Sequence, residues 1–168
     1  NYSGTIVREF TINKIAMVAS VNIDNWTYGD TAKTPSVTIT TTTVKNKTIT
    51  YSYTGKSNSG ISYSSTTGPT DAGSYTVTAK IVDTDGNHTN KTVSKDFTIE
   101  RATLTPTAKA NDKNYDGTTS ATGTITLTGA KYTDNPTATG TFKFTSADSN
   151  SNKAQTVNVT NITLADTW

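Results

Sequence analysis

Apolar and polar residues alternate with period two along several stretches of this chain. Between 74 and 81, Tyr75, Val77, Ala79 and Ile81 fall on one face and Ser74, Thr76, Thr78 and Lys80 on the other. That is the mark of a strand with one face covered and the other in water. The same phase turns Val37 and Ile39 inward in one strand and Ile49, Tyr51 and Tyr53 inward in another. Further on, Ile125 pairs in this way with Leu127, Phe142 with Phe144, and Val157 with Val159. Ile162 and Leu164 slip out of phase with Val157, which predicts a bulge or strand break near Thr160 and Asn161. Helix formers almost never recur at the 3.6-residue spacing of an amphipathic helix. Short strands separated by turn residues predict an all-β chain of antiparallel β-sandwiches.

Composition supports this pattern and removes several classes of function. Threonine fills 40 of 168 positions, with the run "TITTTT" at 38 to 43. Its β-branch suits the solvent face of a strand. Fifteen cations and 13 anions leave a formal charge of +2 and are scattered along the chain, so there is no basic stripe for a phosphate backbone. Nucleic acid is therefore not expected as a partner. No apolar run reaches the length of a membrane span or signal peptide, so the chain reads as a soluble piece whose targeting signals, if any, were removed or lie outside it. With no cysteine, the sandwiches are expected to hold together without disulfides.

An internal repeat sets the expected boundaries. "TIVREFTINKIA" (5 to 16) aligns with "TVSKDFTIERAT" (92 to 103), placing Thr5 on Thr92, Ile6 on Val93, Arg8 on Lys95, Glu9 on Asp96, Phe10 on Phe97 and Ile12 on Ile99, an offset of 87 residues. The same offset brings Tyr28 onto Tyr115. A tandem array follows. Residues 1–13 are expected to be the last strand of a preceding repeat, 14–100 a complete domain, and 101–168 a second domain lacking its final strand. The junction "IERATL" has no glycine or proline, which predicts a stiff connection and a rod-like particle.

Asp71, Ala72, Gly73, Ser74, Tyr75, Thr76 and Val77 match the immunoglobulin pattern Asp-x-Ala/Gly-x-Tyr-x-Cys, with valine in the place of cysteine. In that pattern the tyrosine hydroxyl bonds back to the corner between two strands. More specifically, "WTYGDTAKTPSV", "PTDAGSYTVTAKI" and "DFTIERA" resemble the bacterial immunoglobulin-like repeats called MBG domains. "NDKNYDGTTSATGTITLTG" resembles the related YDG domain, although the Asn-Tyr-containing last strand usual there is not reached by Trp168. The resemblance covers nearly the whole chain and implies tandem immunoglobulin-like sandwiches in a large bacterial surface protein or adhesin. Those families have no known active site to carry over.

The candidate chemistry is sparse. His88, the single histidine, lies in the polar run "DGNHTN" and reads as an exposed loop residue. Without a cysteine, a second histidine or a Gly-x-Ser-x-Gly elbow, neither a triad nor a zinc site is expected. Asp83, Asp85 and Asn87 have the alternate spacing of a calcium loop, but Asp-Gly between alternating strands equally makes a hairpin turn, and the closing glutamate is missing. A Lys-Asn isopeptide crosslink would draw on Lys14, Lys109 and Asn90. Trp26 and Tyr28 could form a small ligand platform or plug the end of a sandwich. Sequons at Asn1, Asn25, Asn46, Asn87, Asn90, Asn158 and Asn161 are expected by chance in so threonine-rich a chain.

No catalytic, cofactor-binding or metal residue is assigned, and the chain is not expected to be an enzyme. The leading expectation is a structural stalk or spacer of a bacterial cell-surface, adhesin-like protein, extracellular or in the cell wall. Its partners would be neighbouring repeats, with no nucleic acid and no membrane insertion. One alternative is an adhesive module that binds a glycan or host protein through the loops carrying Trp26, Tyr28 or residues 83 to 90. Another is a filament subunit that donates its N-terminal strand head-to-tail to a further copy. A third is an accessory module of a secreted polysaccharidase.

Overall fold

The alternating stretch around Tyr75 forms the centre of the larger sheet. The computed structural model of the chain describes residues 3–149 and 154–165, and among them there is no helix. The strands fall into two units, Asn1–Glu100 and Arg101–Trp168. Asn1, one of the expected sequons, lies outside the described residues.

In the first unit, β1 spans Ala19–Asn22, β2 Trp26–Thr27, β3 Ser36–Ile39, β4 Lys47–Ser57, β5 Ser62–Ser65, β6 Gly73–Asp83 and β7 Lys91–Glu100. A five-stranded sheet runs in the order β2-β7-β6-β4-β5, and β1 and β3 make a separate antiparallel pair. β6 has antiparallel neighbours on both sides, β4 from Gly73 to Asp83 and β7 from Gly73 to Ile81. Every odd-numbered residue of β6 is buried, as strict alternation on a half-covered strand requires. Val21 and Ile23, with Val37 at their margin, pack with Tyr53, Tyr75, Val77, Ala79, Phe97 and Ile99 in one hydrophobic cluster. The arrangement is sandwich-like. Each large aliphatic or aromatic side chain buried in this way contributes about 1.5–3 kcal/mol.

Two details fix the cluster. The Tyr75 hydroxyl donates to the Asp71 carbonyl at 2.9 Å, the bond back to the corner that its sequence setting predicts. Val77, at the cysteine position of the pattern, is wholly buried. Trp26 stacks on Phe97 with centroids 5.2 Å apart, and Tyr75 and Tyr53 approach the same ring at 5.8 and 6.3 Å. Such pairs add about 0.5–1.5 kcal/mol beyond burial.

In the second unit, β8 spans Thr105–Ala110, β9 Ser120–Ala121, β10 Gly123–Thr128, β11 Thr137–Phe144 and β12 Val157–Ala165. β8 pairs with β10, and β12-β11-β9 form a three-stranded antiparallel sheet. Between the pairs Thr139↔Thr163 and Thr141↔Thr160, β11 has one residue and β12 has two. The expected bulge therefore sits at Asn161, which adopts a positive φ of 51°. Ile162 and Leu164 are left half exposed. The core of this unit is thin, with Phe142 the one buried hydrophobic side chain among the described residues. Its ring lies over Gly123, where any Cβ would strike it.

Each unit holds a separate antiparallel pair, β1-β3 in the first and β8-β10 in the second, beside a larger sheet in which β4 adjoins β6 and β11 adjoins β12. The outer edge of β12, where β6 is joined by β7, has no strand partner among the described residues. Residues 3–14 join no ladder in this chain, and Ile6 and Phe10 are 84% and 85% exposed.

Candidate functional site

The site lies at the loop end of the first unit, where three segments distant in sequence meet. β6 ends at Asp83 and the chain turns through Thr84, Asp85, Gly86 and Asn87, with Gly86 at a φ of 76°. The turn is built on Asp83, whose Oδ1 accepts from the Asp85 N–H at 3.1 Å and whose Oδ2 accepts from the His88 N–H at 2.8 Å. The N-terminal segment closes over it. Ile15 forms a parallel bridge with His88, its N–H donating to the Asn87 carbonyl and its carbonyl accepting from the Thr89 N–H, both at 3.0 Å. The β3–β4 connection is tied to the same segment: the Val18 N–H donates to Thr41 Oγ1 at 2.9 Å and the Thr40 N–H to the Val18 carbonyl at 3.0 Å.

This closure buries His88, which is 4% exposed, and corrects the expectation of an exposed loop residue. The cause is the Ile15 segment, some 70 residues away in sequence, which no local signal could place there. His88 Nδ1 lies 3.0 Å from Asp83 Oδ2, and His88 Nε2 lies 2.7 Å from Thr43 Oγ1. A carboxylate, an imidazole and a hydroxyl thus stand in line, although a triad was not expected from the residue inventory. Burial works against the ionised form of Asp83. Hydrogen bonds from the His88 ring and from the backbone N–H groups of His88, Asp85 and Asn87 outweigh it and hold the carboxyl below the usual carboxylate range. An ionised Asp83 places the proton of the neutral ring on Nδ1 and leaves Nε2 to accept from Thr43. Thr43 itself is exposed.

The remaining candidates separate. Asp85 accepts from the Asn46 side-chain amide at 2.9 Å, and both oxygens of Asp83 are engaged inside the turn. The calcium-like spacing is thus used as turn chemistry. Among the described residues no group of three or more His, Cys, Asp or Glu is placed to hold a metal ion. Lys14, Lys109 and Asn90 are all exposed, whereas an isopeptide bond needs its lysine and asparagine buried together with a catalytic acid. Trp26 belongs to the core, which corrects its candidacy as a surface platform, and Tyr28 is packed at the margin of the same cluster.

The stretch from Lys113 to Thr118 forms a polar knot of its own. Lys113 Nζ donates to Asp116 Oδ1 at 2.7 Å and to the Thr118 carbonyl at 2.9 Å, and Asp116 Oδ1 accepts from the Thr118 N–H at 2.9 Å. These bonds, that from Lys113 foremost, bring Asp116 down to about 2. Hollows open on the surface of the described residues. One is lined by Ile125 and Leu127 of β10 and by Ala138 and Phe142 of β11; another lies beside residues 8–11.

No family model matches the chain, and neither the curated proteins nor the solved structures contain a significant match to it.

Proposed function

We propose that the chain is a non-catalytic stalk or spacer segment of a bacterial cell-surface, adhesin-like protein, built from tandem immunoglobulin-like units that carry tension along an extracellular array. The observation behind this is the course of the N-terminal segment beside β7. Ile15 bridges His88, and Trp26 and Thr27 pair with Ile99 and Glu100, both contacts parallel and both 73 residues apart. Between them Asn25 Oδ1 accepts from the Thr98 N–H at 2.8 Å, and beyond them the Tyr28 N–H donates to the Glu100 carbonyl at 2.8 Å. Tension that enters at residue 14 and leaves at residue 101 pulls two parallel segments in opposite directions. It loads these bonds together in shear instead of opening them one at a time. The separate antiparallel pair beside a larger sheet in each unit supports the tandem reading, and threonine-rich outer faces keep such a stalk hydrated. Force–extension of the chain held by its ends tests it: a discrete unfolding peak is expected, and a smooth extension would refute it.

A second reading has its own observation. The outer edge of β12 is unpaired among the described residues, while residues 5–12 carry the pattern of β7 and leave Ile6 and Phe10 in water. Residues 5–12 of another copy fit that edge as β7 fits β6, with Phe10 aimed at the hollow between β10 and β11. Such contacts are heterologous and propagate head-to-tail. Solution mass tests this: the full chain self-associates with rising concentration and a chain starting at residue 15 does not, whereas a full chain that stays monomeric excludes it.

A further inference from the structure

The Asp83–His88–Thr43 line is more than a tension-bearing unit requires. The turn is already secured by the backbone bonds to Asp83 and by the Ile15 bridge. Thr43 hangs on the opposite side of the imidazole, in a different loop, with its hydroxyl 2.7 Å from Nε2. The arrangement meets the geometric demands on an activated nucleophile: a hydroxyl within hydrogen-bond reach of a base, and the base oriented by a third group on its other nitrogen. The orienting bond is protected, since the side chains of His88 and Asp83 are 4% and 1% exposed. The contact between the hydroxyl and Nε2 is only part-buried, and Thr43 as a residue is exposed.

We propose that Thr43 is an acyl-accepting site: its hydroxyl, with His88 as general base and Asp83 as the positioning residue, takes an acyl group from an activated carboxylic ester. In the step, Thr43 Oγ1 forms a bond to the ester carbonyl carbon and its proton passes to His88 Nε2. The tetrahedral adduct then collapses with cleavage of the carbon–oxygen bond to the leaving group. That group departs with the electron pair and takes up the proton from Nε2. The product is an ester on Thr43 and a free alcohol or phenol. Thr43 lies in the exposed connection between β3 and β4. The donor is therefore a small ester that reaches an open loop, and the outcome is one covalent attachment per chain, not turnover. Such an attachment is compatible with a stalk and does not depend on that reading.

The chain supplies its own controls, because 39 of its 40 threonines are not Thr43 and the only histidine faces Thr43. The whole chain is treated with p-nitrophenyl acetate at neutral pH and digested. Acetyl groups released by hydroxylamine, which cleaves esters and leaves lysine amides, are then mapped by fragment spectra. A positioned general base contributes on the order of 100-fold or more. Ester acetylation is expected on Thr43 in at least tenfold excess over Thr40, Thr41 and Thr42 in the same peptide. It is lost in Thr43→Val, kept in Thr43→Ser and reduced at least tenfold in His88→Gln. An absence of acetyl on Thr43, an even spread over the neighbouring threonines, or undiminished labelling in a folded His88→Gln chain would overturn the proposal. If His88→Gln does not fold, the excess at Thr43 over its three neighbours in the native chain decides by itself.

Discussion

Replacing Tyr75 with phenylalanine deletes one oxygen from the centre of the first unit and leaves the ring where it is. That oxygen donates to the Asp71 carbonyl at 2.9 Å, good geometry for a neutral hydrogen bond. A bond of this kind contributes about 0.5–1.5 kcal/mol net, and an acceptor left dry costs more. Asp71 is exposed, so its carbonyl regains water in the variant and the loss stays within that range, about 1 kcal/mol. The ring keeps its contacts with Phe97 and Tyr63, both at centroid distances of 5.8 Å, so no cavity opens. For a unit of this size the midpoint of thermal unfolding falls by roughly 4–8 °C per kcal/mol. Tyr51→Phe is the matched control, because the Tyr51 hydroxyl reaches the Pro35 carbonyl only at 3.5 Å and is expected to cost less than about 0.5 kcal/mol. Urea unfolding followed by tryptophan fluorescence in a Trp168→Phe background reports on this unit through Trp26, which stacks on Phe97. Equal stability losses in the two variants, or no loss in Tyr75→Phe, would refute the corner bond as a stabilising element.

Gly123→Ala drives a methyl group into the Phe142 ring and the Lys109 carbonyl; overpacking of this kind costs about 1–3 kcal/mol. Unfolding should shift in the second unit while the transition of the first unit keeps its midpoint, as calorimetry can show. Asp116 sits near 2, below its ordinary value of 3.8. A depressed carboxylate stabilises the folded form above the unfolded value and ceases to do so as pH falls through the folded one. The stability that the knot around Lys113 and Thr118 contributes should therefore be whole at pH 5 and fall away between about pH 4 and pH 2, while its bonds open in the folded chain with a midpoint near pH 2. The Thr118 amide signal reads this directly, and Asp116→Asn should remove that dependence.

Alternation was a reliable guide wherever a strand had one covered face, and the inward residues of β4, β6 and β10 followed from spacing alone. The phase slip at Ile162 located the bulge for the same reason, since a two-for-one step is the only way for a strand to change faces without ending. His88 was misjudged because its burial depends on Ile15, which approaches in parallel from the far end of the unit. A two-residue parallel strand such as β2 has too few positions to show a period. Thr43 could not be singled out among 40 threonines, because its contact with His88 spans 45 residues and leaves no local trace. Trp26 was ambiguous for a physical reason: an aromatic residue before a turn suits both a surface platform and a core plug, and stacking on Phe97 decides for the core.

The direction of loading tests the tension-bearing account most directly. The chain has no cysteine, so pulling handles can be placed at will on the exposed residues Lys14, Asn90 and Arg101. Handles at Lys14→Cys and Arg101→Cys load the Ile15–His88 and Trp26–Ile99 contacts in shear. Handles at Lys14→Cys and Asn90→Cys pull at the same end of the two parallel segments and peel them apart. The first pair should give a single peak at clearly higher force, after which the freed segment reaches a total contour of roughly 300 Å, about 86 residues at ~3.5 Å each. The second pair should yield at lower force. Equal rupture forces in the two directions would contradict the account.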